Sequence, residues 1–218
     1  MKKINVTELE NLSIASVDEI LDNRKIIPEA SGEGSFYIYE TKDNTISTIF
    51  VSKKDFKIVG ITENITNIRE NTNDFYTYNS EGLLQKYVKS QNTETIHVSE
   101  SDEIAVQRYV KIIEKFNQGE LYESKNYDEC FKIDIQSIIN VIKENSYQNG
   151  SIYRIYLDDD LTGIPVIGLT PQDFELKKSY WVLKFRESLN SNEFIFRIYD
   201  GVHGDFLKQK SSKIFNNL

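Results

Sequence analysis

Apolar and polar positions alternate with period two over much of this chain, and the clearest run is 180–200. In YWVLKFRES, Trp181, Leu183 and Phe185 share one face of an extended segment, with Val182, Lys184 and Arg186 on the other. LNSN supplies a polar turn, and in EFIFRIYD Phe194, Phe196 and Ile198 alternate with Ile195, Arg197 and Tyr199. Alternation on both sides of a turn-forming tetrapeptide predicts a hairpin. Its aromatic face needs a partner layer, so the chain must build a core.

The same pattern predicts strands at 36–40, 45–52 and 56–62, joined by KDN and KKD turns. Others follow at 75–79, 82–91 and 93–99, and again at 151–157 and 164–169. The asparagine-rich stretch 64–73 reads as a loop. Two stretches change period. Ser101 is placed to cap a helix over about 101–118, with Ala105, Tyr109, Ile112, Ile113 and Phe116 at helical spacing and Gly119 beyond its end. Asp134 caps a second, about 134–145, with Ile135, Ile138, Ile139 and Ile142 on one face. A short N-terminal helix is predicted from the capping-box spacing of Ser16 and Glu19, ending before Pro28. ASGEGS at 30–35 reads as a joint, and KQKSSKIFNNL as a basic tail in which Ile214 and Phe215 hint at docking.

These elements predict an α+β fold: a mostly antiparallel sheet with two central helices and a short N-terminal one. The expected organisation is a single domain over 1–218, or two closely packed lobes of about 1–100 and 101–218.

YTYNSEGLL carries one more signal. Tyr76, Tyr78, Asn79, Gly82 and Leu84 fit the Y-x-Y-[DN]-x-x-G-x-L pattern and so resemble a YD repeat, as in the shells of secreted polymorphic toxins. The match spans about nine residues and occurs once, whereas such shells need tandem copies. It predicts the same hairpin physics, with Gly82 at positive φ, and not membership of that family.

Composition narrows the function classes. Thirty-four Asp and Glu face 26 Lys and Arg, a net charge of −8. That argues against nonspecific nucleic-acid binding, which is driven by counterion release, and suits a basic protein partner. One cysteine, Cys130, allows no internal disulfide and fits a reducing compartment. No apolar signal segment and no run of about 20 apolar residues is present, so the expectation is a cytoplasmic protein away from membranes.

Candidate chemistry is sparse. In YLDDDLTGIPV, Asp158, Asp160, Thr162 and Gly163 resemble the first half of an EF-hand calcium loop. The twelfth position is Leu169 instead of a bidentate Glu, so calcium or another divalent metal would need a further ligand such as Asp173. In YDGVHGDF, His203 lies between Asp200 and Asp205, a grouping that could serve general-base or metal-assisted hydrolysis. His97 is the only other histidine. Walker, dinucleotide-binding, nucleophile-elbow and zincin motifs are absent. Tyr37, Tyr39, Phe75, Tyr76, Tyr78 and Tyr87 alternate along strands, and of these Tyr37, Tyr39, Tyr76 and Tyr78 could form a binding face, joined by the acidic residues Glu100, Asp102 and Glu103. The expected function is therefore protein–protein binding without a cofactor, most concretely an immunity or inhibitor protein against a basic toxin or enzyme. The alternatives are a hydrolase built on His203, Asp200 and Asp205, and a carrier of a small or lipid-like ligand.

Overall fold

In a computed structural model the described residues are 2–11, 24–30, 33–97, 103–144, 150–157, 166–175, 178–186 and 193–213. They form two sheets, in two compact units: 1–91 with 110–126, and 92–109 with 127–218.

The first unit opens with α1 (Val6–Asn11), followed by strands β1 (Arg24–Pro28), β2 (Phe36–Lys42), β3 (Thr45–Lys54), β4 (Lys57–Asn67), β5 (Thr72–Tyr78) and β6 (Leu84–Gln91). The chain then makes β7 (Glu94–His97) and β8 (Glu103–Val106) of the second sheet before returning with β9 (Tyr109–Asn117) and β10 (Glu120–Asn126). The first sheet runs β1-β2-β3-β4-β5-β6-β9-β10. Its register builds a buried row, because Phe36, Val51, Ile61, Tyr78 and Leu84 stand opposite one another from β2 to β6. Leu9, Val6 and Ile4 pack on that row. Pro28 does not stop a helix. It ends β1 at the sheet edge, where its missing N–H costs no ladder bond.

The second unit continues with α2 (Ile135–Glu144), β11 (Gly150–Tyr156), β12 (Ser179–Phe185), β13 (Glu193–Asp200) and β14 (Phe206–Lys213), in the order β14-β13-β12-β11-β8-β7. Among the described residues of this sheet only the β8–β11 pair is parallel. The hairpin predicted at 180–200 is present as β12 and β13. Both of its faces are covered, which explains why β12 is buried at every position but Lys184. Ile138 and Ile139 of α2 pack with Trp181, Leu183 and Phe185. Val166 and Leu169 pack with Tyr180, Val182 and Phe196. Asp134 caps α2 as expected, accepting the Ser137 N–H at 2.8 Å.

The α+β reading with two central helices is overturned. The chain is mostly antiparallel sheet, 62% strand and 11% helical. The segment 103–117 forms β8 and β9 in place of a helix. Ile104 and Val106 are buried while Ala105 between them is not, a period of two. Val110, Ile112 and Ile113 are β-branched and favour a strand. Gln118 and Gly119 take φ of +48° and +83°, so Gly119 closes a two-residue hairpin between β9 and β10. The supposed loop at 64–73 is mostly strand, with only Ile68–Asn71 between β4 and β5. The segment 166–169 is a turn and not a strand, and most of the supposed tail belongs to β14. The Ser16–Glu19 capping box lies outside the described residues. No helix among the described residues is long and apolar enough to cross a membrane.

Candidate functional site

The next row of the first sheet, on the same face as the Phe36–Leu84 row, reads Ile38, Ile49, Glu63, Tyr76 and Tyr87. One row further stand Ile65, Asp74 and Lys89. Strand alternation thus carries the face from an apolar core into a patch of phenols and carboxylates. Tyr76 stacks on Tyr87 with ring centroids 4.9 Å apart, and on Tyr78 at 6.4 Å. The flanking phenols reach diagonally. Tyr78 donates to Glu63 Oε2 at 2.7 Å, and Tyr87 donates to Asp74 Oδ1 at 2.6 Å.

These contacts fix the protonation of the tyrosines. Burial pushes the Tyr76 phenol up to about 12, helped by the charges of Asp74, Glu63 and Glu114. Tyr78 is raised by burial and by its bond to Glu63, and Tyr87 by burial and its bond to Asp74. All three are neutral donors at physiological pH, unsuited to act as nucleophiles or bases. What the patch offers is anionic carboxylate beside aromatic faces, the surroundings that favour an organic cation.

A cation is already there. The Lys2 ammonium lies 3.4 Å from the centroid of Tyr76 and 2.7 Å from Glu63 Oε2. It is carried in by backbone pairing, Lys3 bridging Leu83 and the Ile4 N–H donating to the Gly82 carbonyl at 3.2 Å. The approach depends on the hairpin that the YTYNSEGLL pattern predicts. Asn79 Oδ1 accepts the N–H groups of Glu81 and Leu83, and Gly82 sits at φ +77°. A Cβ on Gly82 would lie 2.3 Å from the Ile4 carbonyl oxygen.

The other predicted site residues are dispersed. Tyr37 and Tyr39 project from the opposite face of this sheet, where Tyr37 stacks on Phe50 at 4.6 Å. Glu103 lies in the second unit and contacts His97 Nδ1 at 3.2 Å. Glu100 and Asp102 lie outside the described residues, as do Asp158, Asp160 and Thr162. Asp173 bonds to the Thr170 N–H and hydroxyl and to Lys210 Nζ at 2.7 Å. Among the described residues no group of three His, Cys, Asp or Glu is placed to hold a metal.

His203 is 72% exposed on the turn after β13, its Nδ1 3.2 Å from Asp200 Oδ1. The same oxygen accepts the N–H groups of Val202 and His203, an Asx turn. Partial burial works to raise the Asp200 pKa. Those amides and the imidazole more than offset it, leaving the carboxyl below its ordinary range. Asp205 contributes its carbonyl, accepting the Asp200 N–H at 2.8 Å.

Glu63, Asp74, Glu114 and Lys2 were not singled out from the sequence. Two of them left a signal. Glu63 interrupts the inward positions Ile61 and Ile65, and Asp74 shares its parity with Tyr76 and Tyr78. Comparison of the chain with protein-family models, curated proteins and solved structures finds no match.

Proposed function

We propose that this protein acts by binding a basic protein, most concretely as an immunity or inhibitor protein that engages a basic toxin or enzyme in a reducing compartment. The observation that carries this reading is the Lys2 ammonium seated between the Tyr76 ring and the Glu63 carboxylate. A partner's lysine or arginine would meet the same two groups, with Asp74 and Glu114 adding negative potential. The net charge of −8 would speed the encounter with a cationic surface and make it sensitive to salt.

The test is affinity capture at low salt from the source cell, with wild-type protein and Glu63→Gln as parallel baits. Glutamine still accepts the Tyr78 hydroxyl, so the variant removes charge and little else. The expected result is a stoichiometric basic partner, released as salt rises and held about tenfold less tightly by Glu63→Gln, as for loss of a charged hydrogen bond. Binding indifferent to salt and to Glu63→Gln would sink the proposal. So would substrate turnover by the purified protein that Asp200→Asn abolishes.

A further inference from the structure

A second charged site lies in the other unit and has the opposite sign. Lys184 stands in β12, flanked by β11 and β13, where its direct cross-strand neighbours are Ser151 and Phe196. Its ammonium lies 4.1 Å from the centroid of Phe194 and 5.9 Å from that of Phe196. Arg186, two residues on and on the same face, places its guanidinium carbon 4.6 Å from the same Phe194 ring. Among the described residues neither cation has a carboxylate partner.

The arrangement is unfavourable as pure structure. Burial, and then the charge of Arg186, hold the Lys184 ammonium below the ordinary lysine range. Arg186, two residues along the same face of the strand, adds like-charge repulsion. The chain tolerates this in an otherwise buried strand, although a Met there would satisfy the same packing. A partly desolvated cation with no carboxylate partner among the described residues is a candidate functional position. The surroundings supply further hydroxyls, because Ser151, whose Oγ accepts from Gln107 Nε2 at 3.4 Å, and Tyr153 face the same side of β11.

We propose that Lys184 and Arg186, with the Ser151 hydroxyl, bind a phosphate group carried by a small molecule. Two adjacent positive charges match a dianion, and the guanidinium fork suits phosphate oxygens. The half-buried Phe194 ring, beside both cations, would face the organic part of the ligand, while Phe196 is buried beneath it. A polyanion is disfavoured, because the next cations on this face, Lys208 and Lys210, are already taken by Asp173. The site is independent of the Lys2 seat on the first sheet.

The experiment is a titration of ¹⁵N-labelled full-length protein with inorganic phosphate against sodium chloride at matched ionic strength, followed by amide shifts. Saturable shifts are expected at Ser151, Lys184, Arg186 and Phe194, with affinity reduced about tenfold or more in Arg186→Gln and in Lys184→Met. Lys184→Met keeps the aliphatic stem on the rings and removes the desolvated charge, so it is expected to fold at least as well as wild type. Shifts that stay linear in phosphate, or that persist unchanged in both variants, overturn the proposal. Tighter binding of a single-stranded oligonucleotide than of a mononucleotide of equal phosphate concentration overturns the small-ligand assignment.

Discussion

Gly82→Ala tests whether the N-terminal segment is built into the first sheet. At φ +77° an added Cβ costs about 1–2 kcal/mol through local sterics alone. The larger consequence is contact, since that Cβ would sit 2.3 Å from the Ile4 carbonyl oxygen and 2.8 Å from Val6 Cγ2. A backbone oxygen cannot rotate aside as a side chain can, so the segment must lift. It takes with it the burial of Leu9, worth about 1.5–3 kcal/mol, and the Ile4–Gly82 hydrogen bond, about 1 kcal/mol. The expected loss is about 4–6 kcal/mol, a large part of ordinary domain stability. Urea unfolding followed by far-UV circular dichroism or tyrosine fluorescence measures it. Trp181 lies in the other sheet and does not report on this unit. Leu9→Ala alone should cost about 2–5 kcal/mol. In the double variant it should cost almost nothing more, because Gly82→Ala has already released the segment. Additive effects, or a loss no greater than the local steric cost, would refute the reasoning.

Three further outcomes follow from the same sheet. Phe56 takes φ +61° in the turn between β3 and β4 with its ring 75% exposed, so Phe56→Gly should stabilise the protein by about 1 kcal/mol in thermal or urea melts. Tyr78→Phe removes a donor from a nearly buried Glu63 and should cost about 1.5–3 kcal/mol by the same assay. The phenols of Tyr76, Tyr78 and Tyr87 have folded-state pKa values above the unfolded value of 10.0. Their contribution is therefore complete below pH 10 and lost as pH rises above it. Stability measured from pH 9 to 12 should fall, and less steeply in Tyr87→Phe.

The strands were legible because alternation survives wherever one face is buried, as at Phe36 and Ile38 or at Trp181 and Leu183. The segment at 103–117 was not. Tyr109, Ile112, Ile113 and Phe116 fall by coincidence at helical spacing, and a strand with half-buried residues on both faces has no clean alternation to oppose it. The Gln-Gly turn and the β-branched residues were the better guide. Of the candidate site, sequence alternation points to Tyr76, Tyr78 and Tyr87, and strand register sets Tyr87 beside Tyr76 and adds Glu63. It could not add Lys2 or Glu114, because both arrive through long-range pairing that no local pattern encodes. Tyr37 and Tyr39 illustrate the complementary failure. They share composition with Tyr76 and Tyr78, yet register alone decides which face of a sheet each pair occupies.

If Lys2 imitates a partner's cation, it must also compete with one. Its cation–π contact is worth about 0.5–2 kcal/mol, and an ion pair with a carboxylate only 11% exposed adds a few tenths to about 1 kcal/mol. Together these hold the seat closed by roughly 2 kcal/mol, about thirtyfold. A partner that binds the open seat loses that factor from its apparent affinity. Lys2→Met keeps the aliphatic stem and vacates the seat, so binding of a lysine-rich peptide, measured by calorimetry at low salt, should tighten up to about thirtyfold. Glu63→Gln in the same background should abolish the gain. Equal or weaker binding by Lys2→Met would mean that Lys2 is part of the sheet's own packing and that the Tyr76–Glu63 pair is not a recognition site.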